Sequence, residues 1–119
     1  MAKTLTILWR TGSMMAMDPN VAVKLAKAAL DKGYKVHLFG YGEGVTAVKK
    51  GQNPKRFPNV GRDLEEIIKD GASVAICETC FAARGFERGE EIQGAKVGSL
   101  TNDLFKFVSE SDRLITIAR

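Results

Sequence analysis

The feature that most constrains this chain is an alternation of short apolar runs with segments of helical periodicity. The runs are "TLTILW" (Thr4–Trp9), "KVHLFG" (Lys35–Gly40), "SVAIC" (Ser73–Cys77), "AKVGSL" (Ala95–Leu100) and "RLITIA" (Arg113–Ala118). Each has the length and the β-branched, apolar content of a buried strand. Between the first two, Val21, Leu25, Ala28 and Ala29 recur at helical spacing. Asp18-Pro19 stands before them, where Asp can cap a helix and Pro fits its first turn, and Gly33 closes the segment. Leu64, Ile67 and Ile68 predict a second helix ending at Gly71. A short helix ending at Gly85 follows "SVAIC", and Leu104, Phe107 and Val108 mark a last one. Residues 46–61 read as loop with a short helical piece, punctuated by Pro54, Pro58 and Gly61.

Strands alternating with helices imply a parallel sheet covered on both faces, with right-handed crossovers. The expected fold is α/β, a three-layer sandwich with a five-stranded, mainly parallel sheet of flavodoxin-like type. No repeat, low-complexity tract or linker divides the 119 residues, so 1–119 is read as one domain. In a flavodoxin-like order the strand order reverses between the first and third strands. The loops expected there are "RTGSMMAMD" and the start of "CETCFAARG".

Charge narrows the function classes. The net charge of +4 comes from cations scattered among acids, as in "DLEEIIKD", with no basic block. Nucleic-acid binding is not expected, because its footprint is a clustered basic face. No segment approaches the roughly 20 apolar residues that span a bilayer, so no membrane partner is expected either. Met1-Ala2-Lys3 precedes only the short run Leu5 to Trp9, unlike an export signal, and the cytoplasm is the expected compartment. Thiols stay reduced there, so a lone cysteine pair suggests catalysis or metal binding more than a structural staple.

That pair, the chain's only cysteines, stands in "SVAICETCFAARGF" (Ser73–Phe86). Cys77 ends a strand at the start of a helix, where unpaired N–H groups favour a thiolate. Cysteine pKa values fall from about 8.5 to about 3.5–7.5 in such places. On a regular helix Cys77, Cys80 or Phe81, and Arg84 share one stripe, so Arg84 could add positive potential. The adjacent Glu78 opposes it unless its carboxylate points to solvent. An exposed nucleophile and a buried cysteine ending a core strand are both open readings of Cys77. For Cys80, packing against the sheet stands beside a redox role. A thioredoxin-type couple fits poorly: the motif comes after two βα units, and Pro19, Pro54 and Pro58 all precede it. Zinc fits worse, since a structural site wants four ligands and the pair plus His37 gives three at most. His37, mid-strand, reads as a satisfied core or near-core histidine.

Other motifs carry less. "GYGEG" lacks dinucleotide-site spacing and reads as a flexible strand-end loop. "SMMAM" reads as a mobile apolar lip near the site, a partner surface or plain packing. Trp9 and Arg10 leave the first strand where they would border a pocket.

The chain resembles the DsrE/DsrF-like family, and within it the TusD-like sulfur-relay proteins. The resemblance runs through "AVKLAKAALDKGYKVHLFGYGEGV", "VKKGQNP", "LEEIIKDGASVAICETCFAARGF" and "VGSLTNDLFKFVSESDRLITIA". Its most specific element is the apolar strand ending in cysteine and leading to Arg-Gly. The resemblance implies a DsrE-like five-stranded parallel sheet, a homotrimer or hexamer, and sulfur carried as a cysteine persulfide. Relay members place the sulfur-carrying cysteine about eight residues before the Arg-Gly glycine. Cys77 lies eight before Gly85, so the implied carrier is Cys77, with Arg84 as electrostatic support. The implied partners are sulfur-donor and sulfur-acceptor proteins, and the chemistry needs no metal or organic cofactor. Cys80 departs from the relay pattern and leaves room for a resolving thiol, for a Cys77/Cys80 dithiol oxidoreductase, or for a non-catalytic subunit or small-ligand binding protein.

Overall fold

The computed structural model describes residues 3–118. Met1 and Ala2, which the amino-terminal reading used, lie outside the described residues, as does Arg119. Five parallel strands form one sheet in the order β4-β3-β2-β1-β5. They are β1 (Thr4–Trp9), β2 (Lys35–Gly40), β3 (Ser73–Cys77), β4 (Lys96–Gly98) and β5 (Arg113–Ile117). The helices are α1 (Asp18–Asp31), α2 (Val60–Lys69), α3 (Glu78–Ala83) and α4 (Phe105–Glu110). A 3₁₀ helix, Gly42–Val48, follows β2, and a π-helical turn, Leu100–Leu104, leads into α4. The α/β class, five strands and parallel sheet agree with the sequence reading.

Strand order does not follow flavodoxin. Three successive crossovers step the same way, from β1 to β4, and one long return then sets β5 beside β1. The order therefore reverses between β1 and β5, and β2 separates the first and third strands. Steps in opposite directions with one handedness place their helices on opposite faces. Side chains confirm the two faces. Thr6 and His37, paired in register, reach α4: the Thr6 hydroxyl donates to the Phe107 carbonyl at 3.1 Å, and His37 stacks on Phe107 at 4.4 Å. Leu5, Ile7, Val36 and Leu38 point the other way into the main core.

Local chemistry explains where elements differ from expectation. Asp18 does not cap α1: Met17 holds that place, and the Asp18 carboxylate accepts the Thr11 hydroxyl at 2.6 Å. β4 is cut short because the Ser99 N–H leaves the ladder for the Asp103 carboxylate, at 2.8 Å. "GYGEG" is no flexible loop. It enters the 3₁₀ helix, whose Val45, Ala47 and Val48 are fully buried. Gly40 and Gly44 are small because Trp9 lies against both. A Cβ on Gly40 would lie 2.6 Å from the Trp9 ring, and one on Gly44 2.8 Å from the Trp9 carbonyl. The Trp9 indole N–H donates to the Gly44 carbonyl at 2.8 Å.

His37 is buried but not satisfied. Neither ring nitrogen has a hydrogen-bond partner, and Nε2 lies 3.5 Å from Glu110. Burial lowers its pKa against the opposing pull of Glu110. Large apolar side chains stay open around the β5 edge: Leu114 and Ile115 are exposed on that edge strand, and Phe105 is 70% exposed on α4. No helix among the described residues is long and apolar enough to cross a membrane.

Two stability measurements check this packing. Gly40→Ala should cost about 1–3 kcal/mol in denaturant unfolding, the usual price of overpacking, because ring and strand are both immobile. His37→Phe should keep the stack and remove the burial penalty. A folded-state imidazole with a lowered pKa loses stability as pH falls through the free histidine value near ~6.5. The variant should therefore gain on wild type between about pH 8 and about pH 5.5.

Candidate functional site

Cys77 is the last residue of β3 and the N-cap of α3. Its Sγ accepts the Cys80 backbone N–H at 3.5 Å, a bond that turns strand into helix. The thiol is 5% exposed, yet it lines a cavity of about 570 Å³. Tyr41, Glu78, Thr79 and Cys80 form one side of that cavity, and Gly98, Ser99, Leu100 and Thr101 the other. The structure thus places a mostly buried strand-end sulfur beside an open space.

The sequence placed this site at the reversal of strand order, and the structure corrects that. Cys77 stands between β2 and β4, two strands from the β1/β5 reversal. The cavity arises instead because Tyr41 and the π-helical turn rise past the carboxyl ends of β2 and β4. Trp9 does not border it; the ring is buried under the 3₁₀ helix. Arg10 lies over the Tyr41 ring, 5.9 Å from its centroid. The "SMMAM" residues Met14, Met15 and Met17 are exposed and do not line the cavity.

Cys80 and Arg84 come together with Cys77. Cys80 is half-buried, and its Sγ accepts the Gly42 N–H at 3.3 Å. Burial pushes the Cys80 thiol up, and its hydrogen bond with Cys77 adds to that; the Gly42 N–H and Arg84 pull the other way. Arg84, the C-cap of α3, donates through Nη1 to the Cys80 carbonyl at 2.8 Å. Its Nε and Nη2 grip Glu43 at 2.9 and 2.6 Å. The hydrogen bond to Glu43 is the main reason its pKa is raised. Arg84 is thus close to the thiols but aimed at Glu43. Glu78, the feared opposing charge, is turned out to pair with Arg88.

The far lip is fixed by Asp103. Its carboxylate accepts the Ser99 N–H and pairs with Lys96 at 2.7 Å. A Cβ on Gly98 would run into that carboxylate, so only glycine fits at the end of β4. Sequence reasoning missed Tyr41, Glu43, Gly42, Ser99, Thr101 and Asp103. The one available signal was the glycine spacing of "GYGEG". The described residues hold no group of three His, Cys, Asp or Glu side chains positioned to bind a metal.

Comparisons with known proteins agree with the fold. The profile of the DsrE/DsrF-like family matches residues 5–117. The uncharacterized protein MJ0989 of Methanocaldococcus jannaschii is 40% identical over 95 residues, 80% of this chain and 82% of its own length. The uncharacterized protein MK0008 of Methanopyrus kandleri is 39% identical over 94 residues, 79% of this chain and 77% of its own. The crystal structure of YchN from E. coli superposes with a TM-score of 0.89 at 25% identity, covering 98% of this chain and 99% of that one.

The Asp103 anchor gives a test by pH. Burial raises its pKa, but the Lys96 and Ser99 bonds outweigh that and hold the carboxyl below its usual range. Stability from a depressed carboxyl is present above the unfolded value near ~3.9 and lost as pH falls below it. Asp103→Asn should cost about 1–3 kcal/mol at pH 7. The gap to wild type should close below about pH 4, read by urea unfolding at each pH.

Proposed function

We propose that this chain, which belongs to the DsrE/DsrF-like family, is a sulfur carrier that holds sulfane sulfur as a persulfide on Cys77. Family membership supports a role related to sulfur relay in general. The observation that carries the specific reading is Cys77 itself: a thiol at a strand end, hydrogen-bonded by a helix N–H, on the floor of an open cavity.

The chemistry is an exchange at sulfur. The Cys77 thiolate attacks the outer sulfur of a donor persulfide, forming one S–S bond and breaking another, and the donor leaves as a thiolate. The proton on the transferred sulfur travels with it or is lost to water. An acceptor thiolate then attacks that outer sulfur and releases the Cys77 thiolate. Each step conserves electrons, so no external oxidant is consumed. The donor and acceptor are proteins that bring a persulfide and a thiol, respectively, into the cavity between Tyr41 and Ser99. The carrier acts in the cytoplasm, as one domain per chain, in a homotrimer or hexamer. The exposed Phe105, Leu114 and Ile115, on α4 and the β5 edge, are apolar surface that such an assembly would cover.

The near-complete burial of Cys77 favours a second reading, a non-catalytic oligomeric subunit or small-ligand binding protein on the same fold. Mass spectrometry separates the two. Purified protein treated with a persulfide donor or polysulfide should gain reductant-labile sulfur on the peptide Asp70–Arg84. The adduct should vanish in Cys77→Ser and largely persist in Cys80→Ser. No adduct with any donor would favour the binding subunit. A dithiol oxidoreductase would instead need both cysteines for a reversible disulfide.

A further inference from the structure

The exposed methionines that the Cys77 cavity leaves unused face a groove of their own. Met14, Met17 and Phe57, with Ala16, Asn20 and Pro58, line a space of about 190 Å³. Met14, Met17 and Phe57 are each more than half exposed. The groove forms where the loop after β1 meets the segment entering α2, at the end of the sheet that also holds Cys77. A short chain of bonds joins the two regions. The Ser13 N–H donates to the Thr46 hydroxyl at 3.0 Å, that hydroxyl donates to the Glu43 carbonyl at 2.9 Å, and Glu43 holds Arg84.

Backbone and charge both set this groove apart. Met14 at φ +66° and Lys55 at φ +61° are the described non-glycine residues with left-handed backbone. Each stands inside a tight turn, one closed from the Met15 N–H to the Gly12 carbonyl, the other from the Phe57 N–H to the Pro54 carbonyl. Glycine is the usual residue at such positions, and strained side chains cluster at ligand clamps. Residues 10–21 and 53–62, which build the groove, carry Arg10, Lys55, Arg56 and Arg62 against a single acid, Asp18. Asp18 is buried and accepts the Thr11 hydroxyl. The four cations are exposed, and none joins an ion pair among the described residues. Around Cys77, by contrast, Arg84, Arg88 and Lys96 are all paired.

We propose that the Met14–Met17–Phe57 groove docks an acidic segment of a partner protein, which seats an apolar side chain in the groove and sets its carboxylates against Lys55 and Arg56. The occupant follows from size and charge. The space is smaller than the roughly 300–1,000 Å³ of small-molecule sites and suits a leucine or phenylalanine anchor. Methionine lets such a surface adapt to the shape of the anchor, and unpaired cations at the rim select an acidic partner. A concave groove also favours a peptide over a lipid surface, which offers no side chain to fill it. This surface is independent of whether Cys77 carries sulfur.

The probe is a fluorescein-labelled peptide with Leu, Phe and Leu at helical spacing and Glu between them, followed by fluorescence anisotropy with the full chain. It should bind, and binding should weaken with added salt. Phe57→Ser and Met17→Ser should each weaken it at least about tenfold. The double change Lys55→Glu with Arg56→Glu should do the same at low salt. All four side chains are exposed, so the variants should keep the fold, checked by circular dichroism. With methyl-labelled methionine, the Met14 and Met17 signals should shift on titration of wild type. Absence of binding, equal binding of a peptide with Lys in place of Glu, or full binding by Phe57→Ser would overturn the proposal. So would a Phe57→Ser variant of altered sedimentation mass, which would make the groove an interface between copies of this chain. Flotation with phosphatidylserine vesicles that Phe57→Ser abolishes, with no peptide binding, would make it a lipid surface and overturn the proposal equally.

Discussion

The site depends on Trp9 lying between Gly40 and Gly44. Trp9 and Gly40 are register partners at the carboxyl ends of β1 and β2, and the ring spreads across the glycine because no Cβ stands there. Its N–H then binds the Gly44 carbonyl. A buried indole donor left unpaired would cost on the order of 1–3 kcal/mol, so ring and 3₁₀ helix are placed together. Once Gly44 is fixed, Gly42 and Glu43 have little freedom. Gly42, at φ +61°, presents its N–H to Cys80, and Glu43 presents its carboxylate to Arg84. The surroundings of the thiols are thus set by a packing contact that involves neither cysteine.

This dependence explains which parts of the molecule were legible in the sequence. β1, β2 and β3 could be bounded to the residue because each is a short run between clear breakers. Their burial on both faces leaves a continuous apolar signature. Cys77, Cys80 and Arg84 were legible as a cluster because they share one strand–helix junction. Tyr41, Glu43, Ser99 and Asp103 were not, since they come to the site from other junctions. Only strand order brings those together, and local pattern does not encode strand order. The expectation of a flavodoxin-like order failed for that reason. The steps from β1 to β4 and the single return to β5 are chosen by which faces need covering, a property of the whole chain. "GYGEG" was misread for a related reason. Glycine in a strand-end segment signals freedom when nothing lies against it, and close approach when something does.

The location of the cavity bears on how it works. Open α/β sheets usually bind ligands where strand order reverses, because the loops on either side diverge there. Here the thiol lies away from that point, and its cavity is made by a π-helical turn and a tyrosine. The π turn is held by Asp103, whose carboxylate both ends β4 and anchors Ser99. π-helical segments are uncommon and recur at functional sites. In this chain the turn supplies Leu100 and Thr101 to the lining of the cavity beside Cys77.

The electrostatics of the site follow from pairing more than from charge. Arg84 carries a full charge near both thiols, but Glu43 lies 2.6 Å from its Nη2, and a close ion pair presents a dipole whose field falls off faster than that of a free cation. Arg88 and Lys96 are neutralised in the same way. On the proposed carrier reading, a sulfur anion here would lean on short-range donors, and the Cys80 N–H is already in contact with Cys77. Such a site would be insensitive to salt, because hydrogen bonds to a buried group are screened far less than exposed charges. It would be sensitive to geometry, because a donor displaced by even half an ångström loses much of its effect. Position, set through Trp9 and the glycines that receive it, takes the part that free positive charge plays in more open thiolate sites.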